Sequence, residues 1–146
     1  MTVDLHIERD LDVSPAELWD FVSTTAGLLS WWAPEGMTVP DYEMDFTITG
    51  AWHSVMIGSE GRRHKVSGQV TSVKPPNSVG FTWAWHDETD TRGHESHVTF
   101  TVTPLPGGRA RLTLDHRNLP DDERGRMHEE GWTSSLRKLE RKFATA

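Results

Sequence analysis

Hydrophobic and polar residues alternate through much of the chain up to residue 117, as they do in half-buried β-strands. The first such segment covers residues 3–11, and the others begin after residue 37. The later predicted strands are residues 42–46, 52–57, 66–73, 79–86, 96–102 and 110–116. Turns rich in glycine, proline and charged residues separate them. The pattern therefore predicts an antiparallel sheet of about seven strands.

Two short helices are predicted after the first strand. Ser14 supplies an N-cap, Pro15 takes the first helical position, and Glu17 completes a capping box. The second helix is predicted to begin at residue 24 or 25 and to run through Trp32. A proline and a glycine within residues 34–36 end it.

Residues 120–146 form the one long helix that the pattern predicts. Acidic residues near its start and basic residues near its end both complement the helix dipole. One face carries His128, Trp132, Ser135, Leu136, Leu139 and Phe143 at helical spacing. Such a face needs an apolar surface to lie on. We therefore expect an α+β fold, in which the curved sheet wraps around the C-terminal helix in a single domain over residues 1–146.

Gly131 lies inside this predicted helix, where glycine costs about 1 kcal/mol relative to alanine. One explanation is a close approach of the helix backbone to the sheet. The other is that the missing side chain leaves room beside Trp132 for a ligand. The first is the simpler explanation, and the two are compatible.

Composition narrows the class of protein. The 146 residues carry a formal charge of −7, from 22 acidic and 15 basic residues, which argues against nonspecific binding to nucleic acid or to an anionic membrane. Cysteine is absent, so thiolate chemistry is excluded. The N-terminus lacks the blocks of a signal peptide, and no apolar run approaches the roughly 18 residues of a membrane span. We expect a cytoplasmic protein.

Several short motifs span nearly the whole chain. They are Trp31-Trp32-Ala33-Pro34-Glu35-Gly36, Pro75-Pro76, Thr82-Trp83-Ala84-Trp85, Ser96-His97-Val98-Thr99-Phe100, Leu112-Thr113-Leu114-Asp115-His116 and Gly131-Trp132. In this order, they resemble the helix-grip fold of the START-like (SRPBCC) superfamily. The closest resemblance is to its activator of Hsp90 ATPase homologue family, in the small single-domain bacterial form. One departure is Gly50-Ala51, where the family often carries a glycine pair.

The resemblance implies a largely apolar cavity between the sheet and the C-terminal helix. Relatives bind lipids, hormones or polyketides there, and a few cyclise or hydrate their ligands. An Hsp90 role belongs to relatives with an additional N-terminal domain. We expect no room for one here, so this role ranks last.

Large aromatic side chains on facing elements, with a few polar groups among them, are typical of a small-molecule site. The predicted ligand-binding residues are Trp32, Phe81, Trp83, Trp85, Ser96, Phe100, His116, His128 and Trp132. We further expect one indole of Trp31 and Trp32 to pack inward at the cavity rim and the other to be partly exposed.

Catalysis is the alternative to simple binding. His116, His128 or Ser96 would serve a cyclase or hydratase, although a hydrogen bond from each imidazole to a backbone carbonyl or a carboxylate such as Glu95 is the simpler explanation. No nucleophile elbow, P-loop or dinucleotide fingerprint is present, and the eight histidines lack metal-site spacing. We predict an apolar small molecule as the partner, with no catalytic residue, metal or cofactor. A homodimer is left open.

Overall fold

The computed structural model describes residues 2–143, and in this range the chain forms seven strands and three α-helices. The strands are β1 (Thr2–Leu11), β2 (Thr38–Glu43), β3 (Gly50–Ile57), β4 (Arg63–Lys74), β5 (Ser78–Trp85), β6 (Ser96–Pro104) and β7 (Ala110–Pro120). The helices are α1 (Pro15–Ser23), α2 (Thr25–Leu29) and α3 (Glu123–Lys142). A short 3-10 turn, Pro106–Gly108, joins β6 to β7.

All seven strands belong to one antiparallel sheet, in the order β1-β7-β6-β5-β4-β3-β2. Alternation sets which side chains face inward. In β6, Ser96, Val98, Phe100 and Val102 are buried, while the residues between them are half-exposed. The sheet curves around α3, which confirms the predicted α+β helix-grip fold.

Helix α3 is fixed at its start and along one face. The Asp122 carboxylate accepts hydrogen bonds from the backbone N–H groups of Arg124 and Gly125, which caps the N-terminus. Farther along, Trp132, Ser135, Leu136 and Leu139 are buried against the sheet. Within residues 2–143, no helix is long and apolar enough to cross a membrane.

Several predicted boundaries were wrong, and three of them affect how the elements pack. Helix α3 begins at Glu123 and not at residue 120, because β7 continues to Pro120, which pairs with Thr2 of β1. Residues 144–146 of the predicted helix lie outside the described residues. Helix α2 ends at Leu29, before the two tryptophans.

The third of these boundaries concerns residues 44–46, which the alternation predicts as strand but which follow the end of β2. Met44 and Phe46 are nevertheless buried. The Phe46 N–H donates to the Ser23 carbonyl, and the Thr25 hydroxyl donates to the Met44 carbonyl. The segment therefore leaves the sheet and packs on the two short helices.

One member of the Trp31–Trp32 pair is more deeply buried than expected. Trp32 packs inward at the cavity, but Trp31 is fully buried and not partly exposed. The Trp31 indole N–H donates to the Phe21 carbonyl at 2.8 Å, and its ring lies 5.6 Å from that of Phe100. This indole closes the core beneath α1 and α2.

The two glycines of α3 are expected to respond oppositely to alanine. A Cβ at Gly125 would overlap the Pro120 carbonyl oxygen, whereas a Cβ at Gly131 would meet only Pro34 Cγ, at 3.8 Å. Gly125→Ala should therefore destabilise the protein by about 1–3 kcal/mol, as overpacking does. Gly131→Ala should stabilise it by up to about 1 kcal/mol. Urea unfolding of both variants measures the signs, and equal effects would contradict the prediction.

Candidate functional site

A cavity of about 660 Å³ lies between the sheet, the segment that follows α2 and the first half of α3. Its apolar wall includes Trp32, Met37, Met56, Trp83, Trp85 and Trp132. The exposed residues Arg92, His94, Arg124 and Met127 lie at its mouth. This volume falls within the range of about 300–1,000 Å³ that small-molecule sites occupy.

Strand and helix periodicity place the wall residues. Trp83 and Trp85 are two apart in β5, so both face the cavity. On α3, His128, Gly131 and Trp132 follow the spacing of one helical face. At Gly131, no other backbone approaches closely, so the close-approach explanation was wrong. Its missing side chain leaves open space at the cavity wall.

The structure brings six of the nine predicted ligand-binding residues to the cavity wall. They are Trp32, Trp83, Trp85, Ser96, His128 and Trp132. Phe81, Phe100 and His116 face the same interior but lie outside this wall and are fully buried. The Phe81 ring, for example, packs at 4.5 Å from that of Phe46. Ligand contact by any of the nine stays a prediction.

Several wall residues were missed by the sequence analysis. Met56 of β3 and His64 of β4 are paired in register and both line the cavity. Met127 borders it from the start of α3 and is 60% exposed. Strand alternation was a usable signal for Met56, which follows Trp52 and Ser54 on the inward face of β3. Methionine is a flexible, polarisable wall residue that adapts to irregular ligands.

Ser96 on the cavity wall and His116 behind it form a buried hydrogen-bond chain. The Trp132 indole N–H donates to His116 Nδ1 at 3.0 Å, so this nitrogen must be an acceptor. The proton of the neutral ring is then on Nε2, which lies 2.7 Å from Ser96 Oγ. Ser96 in turn donates to the Trp83 carbonyl at 3.2 Å. Every polar atom of these two side chains has a partner.

This chain has a consequence for acid–base chemistry. Burial lowers the pKa of His116 to about 2, with a further contribution from the neighbouring His128 and His97. His116 is therefore neutral at pH 7 and donates a hydrogen bond to Ser96. A general base would instead have to accept the proton of the serine hydroxyl. The pair is not arranged as a nucleophile and its base.

His128 borders the cavity in the opposite tautomer. Its Nδ1–H donates to the Arg124 carbonyl at 2.7 Å, and its Nε2 accepts from the Trp85 indole at 2.9 Å. Burial lowers its pKa, although the backbone hydrogen bonds oppose this shift. The ring centroid lies 5.2 Å from that of His116. Two neutral imidazoles thus stand side by side, both held by tryptophan donors.

Trp83 is the exception in this well-paired wall. Over residues 2–143, its Nε1 is the one buried side-chain nitrogen or oxygen without a hydrogen-bond partner. Trp83 is 4% exposed, and the rings of Trp52, Trp85 and Trp132 surround it. An unpaired buried N–H costs roughly 1–3 kcal/mol.

A serine–histidine–aspartate arrangement, which the sequence analysis missed, lies beside the cavity mouth. Ser67 Oγ is 2.6 Å from His86 Nε2, and His86 Nδ1 is 2.8 Å from Asp90 Oδ1. Ser67 lies outside the cavity wall, and Arg92 Nε donates to its oxygen while a second guanidinium nitrogen donates to its carbonyl. We interpret the group as the anchor of the connection between β5 and β6. Among the described residues, no three histidine or carboxylate side chains gather as a metal site would require.

A curved seven-stranded sheet that encloses a cavity with a long C-terminal helix defines a helix-grip domain. The chain belongs to the activator of Hsp90 ATPase homolog 1-like protein family, whose family model matches residues 12–144.

The chain is also similar to solved structures and to curated proteins. The chain is similar to the AHSA1 protein of Silicibacter pomeroyi, with 59% identity, a TM-score of 0.90 and coverage of 96% of each chain. It is similar in fold to a protein of Chromobacterium violaceum, with a TM-score of 0.83 at 21% identity and coverage of 98% and 99%. An uncharacterised protein of Mycobacterium tuberculosis strain H37Rv is 30% identical over 125 residues, which are 79% of this chain and 78% of that one.

Proposed function

We propose that this protein binds an apolar or aromatic small molecule in the cavity beside α3 and releases it unchanged. The observation that carries the proposal is the 660 Å³ cavity with its wall of tryptophan and methionine. Small-molecule sites combine such apolar walls with a few polar groups that orient the ligand. Family membership supports a ligand-binding or co-chaperone-like domain and names no ligand.

The hydrogen bonds favour binding over the cyclase or hydratase alternative. An acid or base must hold a proton or a lone pair that it can exchange with the substrate. His116 lies outside the wall, and its two nitrogens are bound by Trp132 and Ser96. His128 lies on the wall, yet both of its ring nitrogens are hydrogen-bonded, Nδ1 to the Arg124 carbonyl and Nε2 to the Trp85 indole. Catalysis would first have to break these pairs.

Ligand binding can be tested at Gly131. Fatty acids, flavonoids and polycyclic aromatics would be titrated into the protein while tryptophan fluorescence is recorded. We expect saturation with at least one compound. Gly131→Leu should weaken that binding by about tenfold or more, since its side chain fills apolar space that the ligand needs. Gly131→Ala is the matched control, because its Cβ meets only Pro34.

Two outcomes would contradict the proposal. The absence of saturation with every compound of the panel would exclude binding of these classes. Recovery of a chemically changed ligand would support the enzyme alternative, and loss of that turnover in His116→Ala would assign it to the imidazole. Chromatography of the ligand before and after incubation distinguishes turnover from binding.

A further inference from the structure

The polar side chains at the inner end of the cavity are already paired with one another. Ser96 is bound by His116 and the Trp83 carbonyl, and His128 is bound by Trp85 and the Arg124 carbonyl. The Trp32 indole N–H donates to Ser54 Oγ at 2.9 Å. A ligand that needed any of these groups would have to displace a protein partner.

The Trp83 indole N–H stands apart from this set. It is the one buried side-chain polar group in the described residues that lacks a partner. Its ring forms part of the cavity wall, but the nitrogen itself is covered, so the ring has to shift for a ligand acceptor to reach it. Buried polar groups in folded proteins are nearly always paired, and exceptions often mark an unfilled site. Since an indole nitrogen can only donate, it is suited to a ligand with an acceptor.

The charge of the surroundings restricts the ligand further. The charged wall residues Asp87, Arg92 and Arg124 are all exposed. Burial lowers the pKa of both His116 and His128, so neither supplies a positive charge at pH 7. An ionised group carried to the inner end would lose its hydration without gaining a counter-ion.

We propose that the cavity selects neutral aromatic ligands with a hydrogen-bond acceptor, such as a ketone carbonyl, that receives the Trp83 Nε1–H. The selection rests on the proposed binding function and adds the polarity of the ligand to it. Tryptophan rings supply the flat apolar contacts, and the single free donor orients the molecule. A hydrocarbon of the same shape fills the cavity equally well but leaves Trp83 unpaired.

Fluorene and 9-fluorenone provide the matched pair, since they share a flat ring system and differ only at C9, which is a methylene in fluorene and a carbonyl in fluorenone. Equilibrium dialysis with chromatographic detection measures both affinities. We expect wild-type protein to prefer fluorenone by about five- to tenfold, the effect of one net hydrogen bond. Trp83→Phe should remove the preference. Trp31→Phe should keep it, because Trp31 lies outside the cavity wall and its N–H is occupied by the Phe21 carbonyl.

A second measurement requires no stable variant. In nitrogen-15 correlation spectra of the wild-type protein, fluorenone should move one indole N–H resonance downfield, and fluorene should not. Fluorene-9-carboxylate should bind at least tenfold more weakly than fluorenone.

The outcomes separate the two proposals. Equal binding of fluorene and fluorenone would overturn the acceptor inference and leave the binding function standing. Binding of the carboxylate as tight as that of fluorenone would overturn the requirement for neutrality. If neither ring compound binds and the wider panel also fails, the binding function fails, and the inference fails with it.

Discussion

Replacement of Leu139 by alanine is expected to lower the free energy of unfolding by about 2–5 kcal/mol, the range for fully buried leucines. Leu139 is 0% exposed and belongs to the hydrophobic core that α3 and the sheet share. Its truncation removes apolar contacts and leaves a space that the surrounding strands fill only in part. Urea unfolding followed by circular dichroism measures the change.

Glu129→Ala is the matched control on the same helix, because Glu129 is exposed. Its effect should stay within about 0.5 kcal/mol, as for most surface substitutions. A loss below about 0.5 kcal/mol for Leu139→Ala would mean that α3 is not a core element. Similar losses in both variants would show that the burial of Leu139 is not the cause of the effect.

Periodicity was sufficient to predict the fold. The inward face of α3 follows from the spacing of Trp132, Leu136 and Leu139, and all three are buried. The alternation of β6 was equally informative. Periodicity does not determine where an element stops, since β7 keeps its pairing with β1 through Pro120. Long-range pairing decided that boundary.

Periodicity also predicts on which face of a strand a side chain lies, but it does not predict how deeply that side chain is buried. Phe81 and Trp83 share one face of β5, yet Phe81 lies in the core and Trp83 on the cavity wall. The difference arises because Phe46, from a segment outside the sheet, packs against Phe81. No local pattern in the sequence reports that contact.

The mouth of the cavity and the hydrogen bonds along its wall were still harder to predict from the sequence. Residues 87–93 read as a polar connection, and only the tertiary bonds of His86 and Arg92 to Ser67 make it a fixed rim. Likewise, the tautomer of His116 depends on Trp132, which is 16 residues away in the chain. The unpaired donor of Trp83 is visible only once its neighbours are placed.

Acid should destabilise this protein through His116. Burial lowers the folded-state pKa of His116 to about 2, whereas an unfolded histidine titrates near pH 6.5. Between these values the unfolded state binds a proton that the folded state does not, so stability falls as the pH falls. From pH 7.5 to 4.5, this one group should remove about 2–3 kcal/mol. The pKa of His128 and that of His97 are also lowered by burial, and both act in the same direction.

His116→Gln isolates the effect, because glutamine retains a donor and an acceptor but does not titrate in this range. The variant will be less stable at pH 7.5, yet its free energy of unfolding should decline less steeply toward pH 4.5 than that of the wild type. His6→Gln is the contrasting control. Hydrogen bonds to Asp115 and Glu8 raise the pKa of exposed His6, so its removal should not flatten the decline. Urea titrations at five pH values measure the slopes. If the free energies of unfolding of wild type and His116→Gln declined in parallel with falling pH, His116 would take up a proton in the folded protein. The assignment of its two nitrogens to Trp132 and Ser96 would then be wrong.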